Sequence, residues 1–267
     1  FINAGADTPN LYNTVNSGIS ICYSMIKLDI DNKKKAVDVL KGILDFLETR
    51  MWFSVKNDQG WYQYYPGQDY PTYNVNALVL YLLVFIQRNT RIGHPDLKSR
   101  VKSLTDLLCE GQQSDGSWIY ARSGKGKWID GFHTGFILES LAFAHKENSA
   151  SADLKSALYR GIDYYINNFF TDDFYVKYYP DSSIYPVDAQ NYAQAIQTLS
   201  VVGDYGILKK DDLLEGIITN SIKYLYNERG YFYHQKRSLY TIRTPYFRWS
   251  MTPMILALEY ANQYFFK

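Results

Sequence analysis

The chain has 267 residues, is 46% hydrophobic and carries a formal net charge of +1. A sizeable core can be buried, while the balanced charge gives no global attraction to nucleic acid or to an anionic membrane, so electrostatic steering has to come from local clusters. The two cysteines, Cys22 and Cys109, lie on apolar helical faces far apart in sequence and without zinc-site spacing, and both are expected as small buried hydrophobes.

The first residue is Phe1 rather than Met, and "FINAGADTPN" lacks the charged and apolar regions of a signal peptide, so the chain is read as a piece of a longer protein, with cytoplasmic placement expected. A first helix is predicted from about Leu11. A second follows from about Asn32, where "KAVDVLKGILDFLETRM" sets Val37, Leu40, Ile43, Leu44 and Leu47 on one face. "DLKSRVKSLTDLLCEG", "DLKSALYRGIDYYINNFF" and "DLLEGIITNSIKYLYNE" repeat that period with charged outer faces. Between them stand more apolar helices, "NVNALVLYLLVFIQ", "FHTGFILESLAFAH", "NYAQAIQTLSVVG" and, from about Tyr246, "WSMTPMILALEYA". The longest apolar run, Ala77 to Ile86, is about half the roughly 18 to 20 residues that cross a bilayer, so no membrane span is predicted.

Four segments between these helices resemble one another: "NDQGWYQYYP", "SDGSWIYA", "DDFYVKYYP" and "ERGYFYHQ". Their aligned aromatics Trp61, Trp118, Tyr175 and Phe232 follow one another at intervals of 57 residues. An outer helix, a turn, a loop and an inner helix thus form a repeating hairpin that buries its inner member against its neighbours. The predicted fold is all-α, an α/α toroid forming a single domain over residues 1–267. About nine helices are counted where a closed ring of six hairpins needs twelve, so either the ring is smaller or open, or helices precede this chain.

Aligning the inner helices on Leu83, Leu141, Leu199 and Leu258 brings Val75, His133, Asn191 and Ser250 into one layer. Tyr73, Asn74, Asn76, Asp130, Asp188, Gln190, Arg248 and Trp249 share the same first turns. Converging helix N-termini suit anions or hydroxyl-rich ligands. Arg122, Lys125 and Lys127 in "ARSGKGKW", and His234, Lys236, Arg237, Arg243 and Arg248 in "HQKRSLYTIRTPYFR", add cations that favour an anionic ligand. Aromatic residues make up 17% of the chain, 26 of them Tyr, which suits packed hairpins or a wall that stacks on sugar rings. Trp61, Trp118, Trp128 and Trp249 are the candidate stacking indoles.

Gln112-Gln113-Ser114-Asp115-Gly116-Ser117-Trp118 resembles the Gln-x-x-Asp-Gly-x-Trp repeat of the squalene cyclase and prenyltransferase toroids. That resemblance implies a structural role, with Asp-Gly turning the chain and Gln and Trp tying adjoining helices. "DGSWIYARSGKGKWIDGFHTGFILESL", with "YPTYNVNALVLYLL", resembles toroid proteins encoded with bacterial capsule and exopolysaccharide assembly functions, which implies a carbohydrate setting. Terpenoid cyclisation is disfavoured, because neither Asp-x-Asp-Asp nor Asp-Asp-x-x-Asp occurs. No metal, nucleotide or flavin motif is present, and no cofactor is expected.

For a uronate, proton abstraction beside the carboxylate needs a positioned base and a cation on the acid group. His133 is the candidate base or acid, Tyr73 its candidate partner, Arg248 the carboxylate clamp, and Asp130 or Asp188 the orienting group. Asp130 and Asp188 are equally suited to capping helices. A glycoside hydrolase would instead use two carboxylates, for which the same two aspartates are candidates, while Glu139 is expected to be buried and paired. The substrate-binding set adds Arg122, Lys127, Asn74, Asn76, Gln190, Asn191, Trp128, Trp249, His234 and Arg243. The expected partner is an oligosaccharide or polysaccharide, and a non-catalytic glycan binder or a scaffold that meets other proteins is the alternative.

Overall fold

The computed structural model describes residues 8–25, 27–56, 59–122, 126–148 and 152–266. The chain packs as two compact units, one from Phe1–Gln112, Ile119–Trp128 and Glu147–Leu154, the other from Gln113–Trp118, Ile129–Lys146 and Lys155–Lys267.

In the first unit, α1 (Leu11–Ser24) and α2 (Ile30–Phe46) start at Asn10 and Asp29, whose side chains accept from Asn13 N–H and Asn32 N–H. A π-helical turn, Leu47–Met51, ends α2 and leads into an antiparallel hairpin, β1 (Trp52–Ser54) and β2 (Gly60–Tyr62). α3 (Tyr73–Asn89) is buried nearly all round and packs against α1 and α4 (Leu97–Gly111), whose helical pattern leaves a charged face outside. Asn76 ties the hairpin to α3: its Oδ1 accepts Tyr62 N–H at 2.8 Å and its Nδ2 donates to the Tyr62 carbonyl at 3.1 Å. Ser103 Oγ of α4 bonds both backbone groups of Gly60.

The second unit holds most of α5 (Gly131–Asn148) and α6 (Ala152–Phe169), then α7 (Ala189–Asp204), α8 (Asp211–Leu225) and α9 (Thr252–Phe265). α7 packs on α8 and α9 around a core that includes Tyr192, Ile196, Ile217, Leu225 and Met254. β3 (Val187–Asp188) pairs with β6 (Gln235–Lys236), which pairs with β7 (Thr241–Ile242), all antiparallel; β4 (Tyr226–Asn227) and β5 (Tyr231–Phe232) form a separate hairpin. A π-helical turn, Phe247–Met251, precedes α9.

The nine helices among the described residues match the count read from sequence. Two features differ from the expectation. The connectors are partly strands, in keeping with the strand preference of their aromatic residues; Trp61 lies in β2, Phe232 in β5, and Tyr175 beside the Phe170–Val176 bridge. α9, read as an inner helix, leaves Ile255 and Leu256 exposed.

The Asp115-Gly116 turn is as predicted. Gly116 N–H donates to the Gln113 carbonyl at 3.0 Å, and Asp115 Oδ1 accepts from Ser117 N–H and Ser117 Oγ. Trp118 is buried against Gly161 of α6, where a Cβ would lie 2.6 Å from the indole. Gly116 has φ +95°, and a Cβ there would lie 2.4 Å from the Arg160 carbonyl oxygen. Gly116→Ala therefore combines backbone strain with a clash against backbone, and is expected to cost on the order of 2–4 kcal/mol, read as a lowered urea midpoint.

Candidate functional site

The chemistry of the second unit gathers where α5 and α7 begin. Asp130 precedes α5 and accepts His133 N–H on Oδ1 at 2.7 Å, which caps the helix. Its Oδ2 meets His133 Nδ1 at 2.6 Å. One buried carboxylate thus fixes both the helix start and the imidazole, whose side chain keeps 27% of its surface exposed against 2% for Asp130. With Nδ1 held by a carboxylate the imidazole is fixed in orientation, as an acid–base histidine requires. Phe132 packs edge-on against the ring, with centroids 5.2 Å apart.

Asp188 occupies the same position before α7. Its Oδ1 accepts Asn191 N–H at 2.9 Å and its Oδ2 accepts from Gln235 Nε2. Burial raises its carboxyl above the ordinary value, opposed by those hydrogen bonds and by the His234 charge. Both aspartates cap helices, and only Asp130 also holds a histidine. β6 reaches α7 because Ala189 N–H donates to the His234 carbonyl and His234 N–H donates to that of Ile242. His234 then packs with Tyr246 and Trp249, with centroids 5.1 and 6.0 Å from its own. Trp249, Arg243 and Arg248 are exposed, Gln190 is half-buried, and Asn191 is buried with its Nδ2 on the Lys177 carbonyl at 3.1 Å.

Sequence reasoning missed Tyr178 and Gln235. The Tyr178 carbonyl accepts Gly131 N–H at 3.1 Å, and its phenol is pushed well up by burial, then by the charges of Asp188 and Asp130. A signal existed: "KYYP" at Lys177–Pro180 repeats "QYYP" at Gln63–Pro66.

The first unit places Tyr73, Asn74, Asn76, Arg122, Lys127 and Trp128; Lys125 lies outside the described residues. Tyr73 is 2% exposed and packs on Gly111, where a Cβ would lie 2.2 Å from its ring, and burial raises its phenol pKa. Those are the surroundings of a packing residue. Asn76 carries the hairpin tie already described. Arg122 and Lys127 are exposed, and Trp128 stacks on Tyr120 with centroids 4.6 Å apart at 12°. Trp61 stacks on Phe53. No cluster of three His, Cys, Asp or Glu among the described residues can hold a metal ion, and no described helix is long and apolar enough to cross a membrane.

Deeper along α5, Glu139 is buried inside a polar cage on α7. Gln197 Nε2 and Thr198 Oγ1 each donate to it at 2.7 Å, and Gln194 Nε2 donates to Oε1. Burial pushes its carboxyl from the ordinary 4.5 to about 7, against the lowering effect of these three bonds. The folded state then binds a proton more tightly than the unfolded chain. Its stabilising contribution is complete below about pH 4.5 and is lost as pH rises through about 7. The loss is on the order of 3 kcal/mol. Glu139→Gln is expected to flatten this part of the stability profile, measured as urea midpoints at pH 5 and pH 8.

The chain is mostly helical, built from repeated helical hairpins, and its fold is the α/α toroid. No protein-family model matches the chain, and no curated protein does. Among solved structures, it is similar to cellobiose 2-epimerase from Bacillus thermoamylovorans with a TM-score of 0.74 at 12% identity, over 96% of this chain and 75% of that one. A possible member of the GH105 family from Salmonella enterica subsp. enterica serovar Paratyphi A gives 0.72 at 12% identity, over 98% and 74% of the two chains. A D-mannose isomerase gives 0.69 at 13%, over 96% and 72%. At such identity the likeness establishes the fold alone.

Proposed function

We propose that the chain is a carbohydrate-active protein of polysaccharide metabolism in which His133, oriented by Asp130, moves a proton on a saccharide. The observation that carries this reading is the 2.6 Å contact between a buried carboxylate and a half-buried histidine at the start of α5. A proton-transfer reaction of the lyase or epimerase type is favoured over two-carboxylate hydrolysis, because Asp188 spends both oxygens on the α7 cap and on Gln235. Similar solved chains include an epimerase of cellobiose, an isomerase of mannose and a GH76 α-mannanase, which supports a carbohydrate-active reading without choosing among these reactions.

The substrate in this reading carries a uronate. Arg248 and Arg243 stand exposed in a stretch from Lys236 to Ser250 that contains four cations and no acid, beside the Trp249–Tyr246–His234 aromatic cluster. Arg donors suit the carboxylate and the indole suits a sugar face. A thermal-shift series with neutral and uronate oligosaccharides tests this directly. Uronates are expected to raise the melting temperature of the wild type, and Arg248→Ala is expected to lose that rise. Equal shifts by neutral and acidic sugars in both proteins would remove the uronate from the proposal. Saccharide binding without turnover would favour the non-catalytic glycan-binding alternative.

A further inference from the structure

A second cluster of ionisable groups lies in the second unit, outside the His133 site. Tyr175, in the connector after α6, and Tyr224, in the last turn of α8, place their hydroxyl oxygens 2.6 Å apart, with rings stacked at 5.5 Å and 26°. Both rings pack on the unit's buried core, so the pair is held from below. Two ammonium groups flank the same ring: Lys236 Nζ of β6 at 4.7 Å from the Tyr224 centroid and Lys223 Nζ of α8 at 5.0 Å. Neither lysine forms an ion pair with a carboxylate among the described residues. Cation–π contact offsets part of the cost of bringing like charges together, and it forms no ion pair.

The direction of the phenol–phenol hydrogen bond follows from its surroundings. An oxygen beside ammonium groups is the better acceptor-stabilised partner, so Tyr175 donates and Tyr224 accepts. The titration tendencies agree: the bond to Tyr224 pushes Tyr175 up to about 12, and the bond from Tyr175, then Lys223, lowers Tyr224. The Tyr224 proton is then left to point away from Tyr175, with no acceptor in the protein among the described residues. One O–H donor and two ammoniums therefore gather at the Tyr224 ring, while the Asp173 charge acts on Tyr175 without an ion pair to either lysine among the described residues.

We propose that Tyr224, Lys223 and Lys236, backed by Tyr175, form an oxyanion-binding site for a carboxylate, sulfate or phosphate group. The anion accepts the Tyr224 O–H and neutralises the two lysines, while Tyr175 holds the Tyr224 ring and oxygen in place. Such charge-assisted hydrogen bonds to an anion are the strong ones. The site is built from residues of α8, β6 and the connector after α6, and it does not use the His133 dyad.

Calorimetric titration of the intact chain at low ionic strength, with inorganic sulfate, inorganic phosphate and a uronate disaccharide as probes, tests the site. Saturable binding is expected in the wild type, weakened about tenfold in Tyr224→Phe and in Lys236→Met. Tyr224→Phe keeps the ring and the packing, so its loss reports the hydroxyl rather than the fold. Tighter binding of the disaccharide than of the free ions identifies a sugar-borne anion as the ligand. Comparable binding of the free ions, still dependent on Tyr224, supports the site with an inorganic anion as its ligand. Binding that is unchanged in both variants, or absent from the wild type, overturns the proposal. Because no probe has to be turned over, this result is independent of whether His133 is catalytic.

Discussion

Glu48→Ala is expected to destabilise the first unit by about 3–5 kcal/mol, the range for breaking a buried ion pair from one side. Glu48 lies in the π-helical turn that ends α2, and its two oxygens serve two buried partners. Oε2 accepts Arg100 Nε of α4 at 2.8 Å, and Oε1 accepts the hydroxyl of Tyr62, which is fully buried in β2. Arg100 also lies over the Trp52 ring at 3.9 Å. The truncation leaves a guanidinium of α4 and a phenol of β2 buried without their acceptor. Glu48→Gln keeps one acceptor oxygen and is expected to cost less. Urea unfolding of both variants, with Tyr62→Phe to complete a double-mutant cycle, reads the difference.

The second large effect concerns turnover. His133→Ala is expected to lower kcat by about 10²- to 10⁴-fold, the range contributed by a positioned acid–base group. Asp130→Asn is expected to lower kcat less, because an amide oxygen can still accept His133 N–H while the carboxylate oxygen that orients Nδ1 is gone. If Asp130 only caps the helix, Asp130→Asn leaves kcat unchanged and alters at most the melting temperature. That split separates positioning of the histidine from support of the helix.

The periodic parts of the chain were legible in the sequence. Helices whose apolar residues recur at helical spacing needed no tertiary knowledge, and Asp130 and Asp188 stood where a cap is expected before an apolar run. The Asp115-Gly116 turn was legible because φ near +95° selects glycine and an Asp side chain can serve the next backbone N–H but one. Tertiary contacts were less accessible. Tyr73 shares a layer with His133 by sequence alignment, yet its ring is set by Gly111 of α4, a contact with no local signature. Gln235 reaches Asp188, and the Tyr178 carbonyl meets Gly131 N–H, from connectors whose course depends on the pairing of β6 with β3. The burial of Glu139 is legible from its place deep in an apolar helix, while its α7 partners Gln194, Gln197 and Thr198 follow only from the packing of α5 on α7.

The most direct test of the central claim is solvent deuterium uptake into saccharide carbons, followed by proton NMR in D₂O with a panel of uronate and neutral disaccharides. Time-dependent loss of a single carbon-bound proton signal is expected with the wild type on at least one uronate, and none with His133→Ala folded to the same melting temperature. Exchange that continues unchanged in His133→Ala would contradict the assignment of His133 as the proton-moving group.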